Sequence, residues 1–122
     1  MSNQPQPNKH GVYCEDAWTE TVSHKTPSGA SVDVHLVQLE AGWIADRDYS
    51  FAQEGGGGWP SIHDKIMPTR DEAINAVLSK VRRSAERNLE FSPHHMSDRD
   101  TRQCKEIIDW IDSRTRQMEL FA

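Results

Sequence analysis

Long apolar runs, close cysteine pairs and a basic surplus are all missing from this chain. No apolar stretch approaches the roughly 20 residues that span a bilayer, so no membrane association is expected. The first eight residues are polar and proline-rich, without the apolar core of a secretory signal. The two cysteines, Cys14 and Cys104, stand far apart, which leaves no disulfide framework and no zinc knuckle. A cytoplasmic, reduced protein is the expectation. The net charge of -5 and pI near 5.6 argue against a globally basic nucleic-acid binder. Apolar residues make up only 35% of the 122 residues, and the mean hydropathy is -0.78. One domain with a small core fits that supply, and a homodimer interface would add to its stability. Four tryptophans and three phenylalanines provide enough buried area to keep the chain out of the disordered regime.

Catalytic and ligand-binding patterns are equally sparse. Of the histidines, His10 lies in the polar N-terminus, and His94-His95 follow Pro93 in a loop. None shows the helical i, i+4 spacing of a zinc site. His63 and Asp64 are adjacent, and neighbours on a strand point to opposite faces. Gly55–Gly58 lacks the Lys-Ser/Thr of a phosphate-binding loop. Ser61 lacks the Gly-x-Ser-x-Gly elbow. Cys14 has no basic neighbour to lower its pKa, and Cys104 falls on an apolar stripe. The residues therefore predict no metal, no cofactor and no enzyme activity.

What is present is a succession of strands followed by helices. Ala17–Ser23 suits a strand, and Lys25-Thr26-Pro27-Ser28-Gly29 a turn. In Ser31–Leu39, Val32, Val34 and Leu36 share one face and Asp33 and His35 the other. Val37 and Leu39 continue on the second face, which implies a bulge or a two-sided strand. In Trp43–Phe51, Trp43, Ala45, Tyr49 and Phe51 oppose Ile44, Asp46, Asp48 and Ser50. The short link between these runs predicts an antiparallel hairpin. Gly55–Gly58 reads as a flexible loop, with a close-approach surface beside Trp59 as the alternative. Pro60–Met67 is a candidate fourth, edge strand. Thr69-Arg70-Asp71-Glu72 is a capping box that opens a helix with Ile74, Val77, Leu78, Val81 and Ala85 on its buried stripe. Ser97-Asp98-Arg99-Asp100 caps a second helix on the stripe of Cys104, Ile107, Ile108 and Ile111, with Trp110 off its centre. The fold class expected is α+β: a three- to four-stranded antiparallel sheet followed by two helices on one face. Residues 1–12 are expected as a disordered tail and 13–116 as a single domain. Its sheet would cover about 17–67, with helices at about 70–88 and 98–116, before a terminal peptide at 117–122.

That peptide carries the most direct pointer to a partner. Gln117-Met118-Glu119-Leu120-Phe121 resembles the pentapeptide Gln-Leu-x-Leu-Phe with which bacterial replication and repair proteins dock on the sliding clamp, the β subunit of DNA polymerase III. Gln117, Leu120 and Phe121 match, and Met118 stands in for the first leucine. The resemblance implies a clamp-bound adaptor or modulator, with Leu120 and Phe121 as apolar anchors and Gln117 setting the register. The competing reading is that Met118 merely continues the helix stripe. Val32–Ala85 is similar in layout to small plasmid- and phage-borne HicB-like antitoxins, which share the strand, strand, Thr-x-x-Glu-Ala helix order. That likeness implies a mobile-element protein and an alternative function, inhibition of a host protein through the sheet and the Gly-rich loop, with Gly57, Gly58 and Trp59 in contact. Charge is uneven enough to support such a surface. Residues 1–54 hold three basic residues against eight acidic ones, whereas 65–87 hold six against three. Arg82, Arg83 and Arg87 in the second stretch are the candidates for a third option, direct DNA contact.

Overall fold

The computed structural model describes residues 4–91 and 96–121, with side chains to Met118. The expected loop around Pro93 and the His94-His95 pair lie outside the described residues, as do the side chains of Glu119, Leu120 and Phe121. Four strands form one antiparallel sheet in sequence order: β1 (Glu20–Lys25), β2 (Ser31–Leu39), β3 (Gly42–Phe51) and β4 (Glu54–Gly57). Two helices follow, α1 (Arg70–Phe91) and α2 (Asp98–Phe121). This is the α+β architecture that the order of alternating and helical patterns predicts.

The two-residue link at Glu40-Ala41 sets the central register. Leu39 pairs with Gly42, so Leu36 faces Ala45, Val34 faces Arg47 and Val32 faces Tyr49. Strand periodicity then sends Val32, Val34 and Leu36 to one side, with Val22 of β1 and Phe51 of β3. Both helices cover that side. From α1 come Ile74, Val77, Leu78, Val81 and Ala85, and from α2 Cys104, Ile107 and Ile111. Each of the larger aliphatic side chains withdrawn from water here contributes about 1.5–3 kcal/mol before the entropy of ordering is subtracted.

Both helix starts are capped by side chains. Thr69 Oγ1 accepts the Glu72 amide at 3.2 Å. At α2 the exchange is reciprocal. Ser97 Oγ accepts the Asp100 amide at 3.0 Å, and Asp100 Oδ2 accepts the Ser97 amide at 3.4 Å. A fork of hydrogen bonds from Arg70 to Glu20 ties the start of α1 to β1, and those bonds, with the guanidinium charge behind them, hold the Glu20 carboxyl below the usual range.

The last hairpin departs from the expectation. Gly55–Gly57 is not a loop but most of β4, with Asp48 opposite Gly57 and Ser50 opposite Gly55. Ala52 and Gln53 form the two-residue turn before it, with φ of 53° and 62°. Two left-handed residues are what a tight twisted hairpin requires, though neither is glycine. The buried Gln103 of α2 holds this turn in place. Its Oε1 accepts the Ala52 amide at 2.8 Å, while its Nε2 donates to Ser28 O at 2.9 Å in the β1–β2 turn. Gly29, at φ 93°, closes that second turn. Pro60–Met67 does not supply the edge strand. It touches extended backbone only at single bridges, Ser61 with Val12 and Met67 with Trp43.

Both ends of the expected boundaries also shift. A 3-10 turn at Glu15–Ala17 precedes β1, because Trp18 turns back to cover the sheet. Asn8 organises the segment expected to be loose, its side chain accepting the amides of His10 and Val12 at 2.8 and 3.0 Å. The helices run past the predicted ends at Asn88 and Arg116.

Candidate functional site

The second face of the sheet concentrates the side chains that packing does not explain. Antiparallel register sets His35 opposite Asp46, and Asp33 opposite Asp48. All four project away from the helices, together with Thr21 and Ser23 of β1. His35 is buried even so. The Trp18 ring lies flat on it, with centroids 3.9 Å apart and planes at 15°. Its Nε2–H donates to Asp48 Oδ2 at 2.7 Å, and its Nδ1 meets Thr21 Oγ1 at 3.2 Å. Since a carboxylate only accepts, the tautomer that donates from Nε2 leaves Nδ1 to accept a hydrogen bond from the Thr21 hydroxyl. Hydroxyl, imidazole and carboxylate thus line up across three strands, a sequence of groups that can polarise a hydroxyl. The Trp18 plate over the imidazole gives the line a mechanical role as well, since it fixes the angle of that indole.

Trp18 in turn supports Trp59. Its indole Nε1–H donates to Tyr13 O at 2.8 Å, and the Trp59 ring meets it edge-on at 5.7 Å. Trp59 keeps 45% of its surface in water, an unusual cost for so large a ring. Tyr13, Val37 and Ile44 form a separate small core beside this pair, which accounts for the two-sided apolar pattern of the second strand.

The glycines before Trp59 have a local reason. A Cβ on Gly57 would overlap the Asp48 carboxylate, and one on Gly58 would stand 2.6 Å from Asp46 Oδ2. A Cβ on Gly56 would lie 2.8 Å from the Tyr49 ring on the helix side. The strand is bare so that side chains of β3 can lie across it. Gly57, Gly58 and Trp59, named together from sequence, therefore do sit together, beside Asp46 and Asp48.

The other predicted residues are elsewhere. Gln117 is exposed and Met118 half-buried near the end of α2, whose helical backbone carries through Phe121. Among the described side chains of that helix, Ile111 is the last buried one. Arg82 is engaged within the fold, giving two hydrogen bonds to Asp112 of α2 at 2.9 and 3.1 Å and one to Glu86. Arg83 and Arg87 are exposed on α1.

Two small hollows flank Asp64. One, of about 210 Å³, lies between β3 and α1 along Ala45, Met67, Ala73 and Val77, with Lys65 and Lys80 at its mouth. The other, of about 140 Å³, is lined by Tyr13, Leu39, Ile44, Ile62 and Ile66. Burial raises the Asp64 carboxyl above its ordinary pKa, although the Ser61 amide at 2.8 Å pulls the other way. Burial likewise pushes the Cys104 thiol up to about 11, which suits a packing role. Among the described residues no group of histidine, cysteine and carboxylate side chains could hold a metal ion, and no helix is long and apolar enough to cross a membrane.

Sequence reasoning missed the Thr21–His35–Asp48 line and the bridging Gln103. A signal for the first existed. Alternation had already placed His35 and Asp48 on the second faces of neighbouring strands, and the two-residue link would have set them within reach. No family model, curated protein or solved structure matches this chain.

Proposed function

We propose that the protein is a non-enzymatic adaptor that binds the bacterial sliding clamp through Gln117–Phe121. The observation that carries this reading is that α2 continues for ten residues beyond Ile111, the last buried side chain among those described in the helix. Met118 is half-buried, and among the described residues it is not one of those packed on the core, which favours a presented peptide over a packed helix end. Gln117 is exposed at the start of the motif. Fraying the last turn of a helix costs little in itself, so the peptide can adapt to a pocket without disturbing the domain. A pentapeptide that must order itself on binding is expected to reach only about micromolar affinity.

Calorimetry of the full chain against purified clamp tests the reading. Wild type should bind in that range, and a Leu120→Ala/Phe121→Ala variant should lose at least about tenfold, since such anchors dominate small interfaces. Equal binding by the two proteins would sink the proposal.

A further inference from the structure

A second interaction surface, independent of the tail, lies along the outer edge of β4. This strand ends the sheet, and three of its four residues, Gly55, Gly56 and Gly57, are exposed glycines. Sheet edges usually carry charged side chains, bulges or a covering element that stops further strands from pairing. Here the strand carries no side chain of its own over those three positions, and its faces are crossed by Tyr49 at Gly56 and Asp48 at Gly57.

The surroundings specify what such a strand should carry. Asp48 gives its Oδ2 to His35 and turns Oδ1 over Gly57. Asp46 lies against Gly58 in the same way, while its Oδ1 accepts from Arg47 Nη1 at 3.1 Å. Glu54, on the helix side of the strand, accepts from Tyr49 and Asn88. Among the described residues Asp48 is therefore the carboxylate that faces this edge without a cationic partner. Trp59, held edge-on by Trp18, exposes its ring at the end of this row. A residue paired outside Gly57 would stand two strand spacings from Asp48, about 9–10 Å between backbones. A long basic side chain covers that distance, and the missing side chain on Gly57 leaves room for the Asp48 carboxylate to lie over the strand toward it. The Asp48 carboxylate and an exposed indole together favour a guanidinium or ammonium group. The acidic excess of residues 1–54 extends the same preference over a wider area and would speed encounter. A second copy of this chain fits poorly, because its own β4 would bring Asp48 against its duplicate and offers glycines rather than basic side chains to meet it.

We propose that the outer edge of β4 accepts an extended arginine- or lysine-bearing segment of a partner protein as a fifth strand. Backbone hydrogen bonds supply the pairing, and Asp48 with Trp59 selects the basic side chains.

The test uses isotope-labelled full-length protein and an end-blocked Arg-Val-Arg-Val-Arg-Val peptide followed by NMR. Two controls are the peptide with glutamate in place of arginine and the basic peptide with N-methylated valines. The basic peptide should shift the amides of Gly55–Gly58 and the Trp59 indole. N-methylation and the glutamate exchange should each weaken binding at least about tenfold, and Trp59→Ala several-fold. Raising the salt from about 0.05 to about 0.5 M should weaken it further. The Leu120→Ala/Phe121→Ala variant should bind the peptide as wild type does, which keeps this result separate from the clamp experiment. Shifts confined to another part of the molecule, equal binding by either control peptide, no binding at millimolar concentration, or self-association of the protein through β4 would overturn the proposal.

Discussion

The two faces of the sheet share the same strands and put opposite chemistry on them. Toward the helices stand Val22, Val32, Val34, Leu36 and Phe51, closed off by the aliphatic stripes of α1 and α2. Away from them stand Asp33, His35, Asp46 and Asp48, with Trp18 stacked on His35. On the first face close packing leaves each side chain one way to sit. On the second, position is enforced by hydrogen bonds and ring stacking, which resist displacement but bury little apolar area. The contrast teaches a division of labour. The helix face supplies stability, and the other is left with enough polar and aromatic surface to meet another molecule.

Mutations that probe each face can break or sharpen this comparison. The largest effect is expected from Ile107→Ala. It opens a cavity where the residue is fully buried and should cost about 2–5 kcal/mol in urea unfolding. On the opposite face Asp48→Ala removes the acceptor of the His35 N–H. Because the Asp48 side chain is half exposed, a loss of about 1 kcal/mol is expected. Should the second variant prove as damaging as the first, the two faces would not differ in the way described.

The smallest effect falls on Asp64, where a carboxyl raised by burial favours the protonated form in the folded state. Such a group costs stability when charged, and stability is regained as pH falls through the raised folded value. Asp64→Asn should therefore be neutral to slightly stabilising at pH 7. Denaturation midpoints of variant and wild type should then converge as the pH drops below the ordinary aspartate value of 3.8. A variant that is less stable at pH 7 and stays so in acid would show that the Ser61 hydrogen bond, rather than desolvation, governs this site.

Legibility from sequence followed the strength of local periodicity. The stripes of Ile74–Ala85 and Cys104–Ile111 and the alternation of Ser31–Leu39 and Trp43–Phe51 placed the core on the correct faces. Thr69 and Ser97 marked both helix starts, because capping depends on residues three apart. The β3–β4 hairpin was hidden for a tertiary reason. Its turn is Ala52-Gln53 rather than a glycine-bearing pair, and Gln103, fifty residues away, secures it. The strand after it was hidden because glycine has low strand propensity, and only the side chains lying across it explain its choice. Of the candidate site, Gly57, Gly58 and Trp59 were legible as a group. Their carboxylate neighbours came into view only with the strand register. Arg82 looked like part of a basic patch because its partner Asp112 lies on the other helix.

Gln103 also sets an order in time. Synthesis delivers the strands and both turns well before this amide, which holds Ser28 and Ala52 together from the second helix. Until α2 arrives, the left-handed pair at Ala52-Gln53 carries about 1–2 kcal/mol of backbone strain per residue without the hydrogen bonds that tie it to Asp100 and Gln103, and Asn88 of α1 reaches only the neighbouring Glu54. The last hairpin should therefore open and close on the nascent chain, and become permanent only when α2 docks. One side chain thus acts as the latch that turns a transient sheet into a finished one.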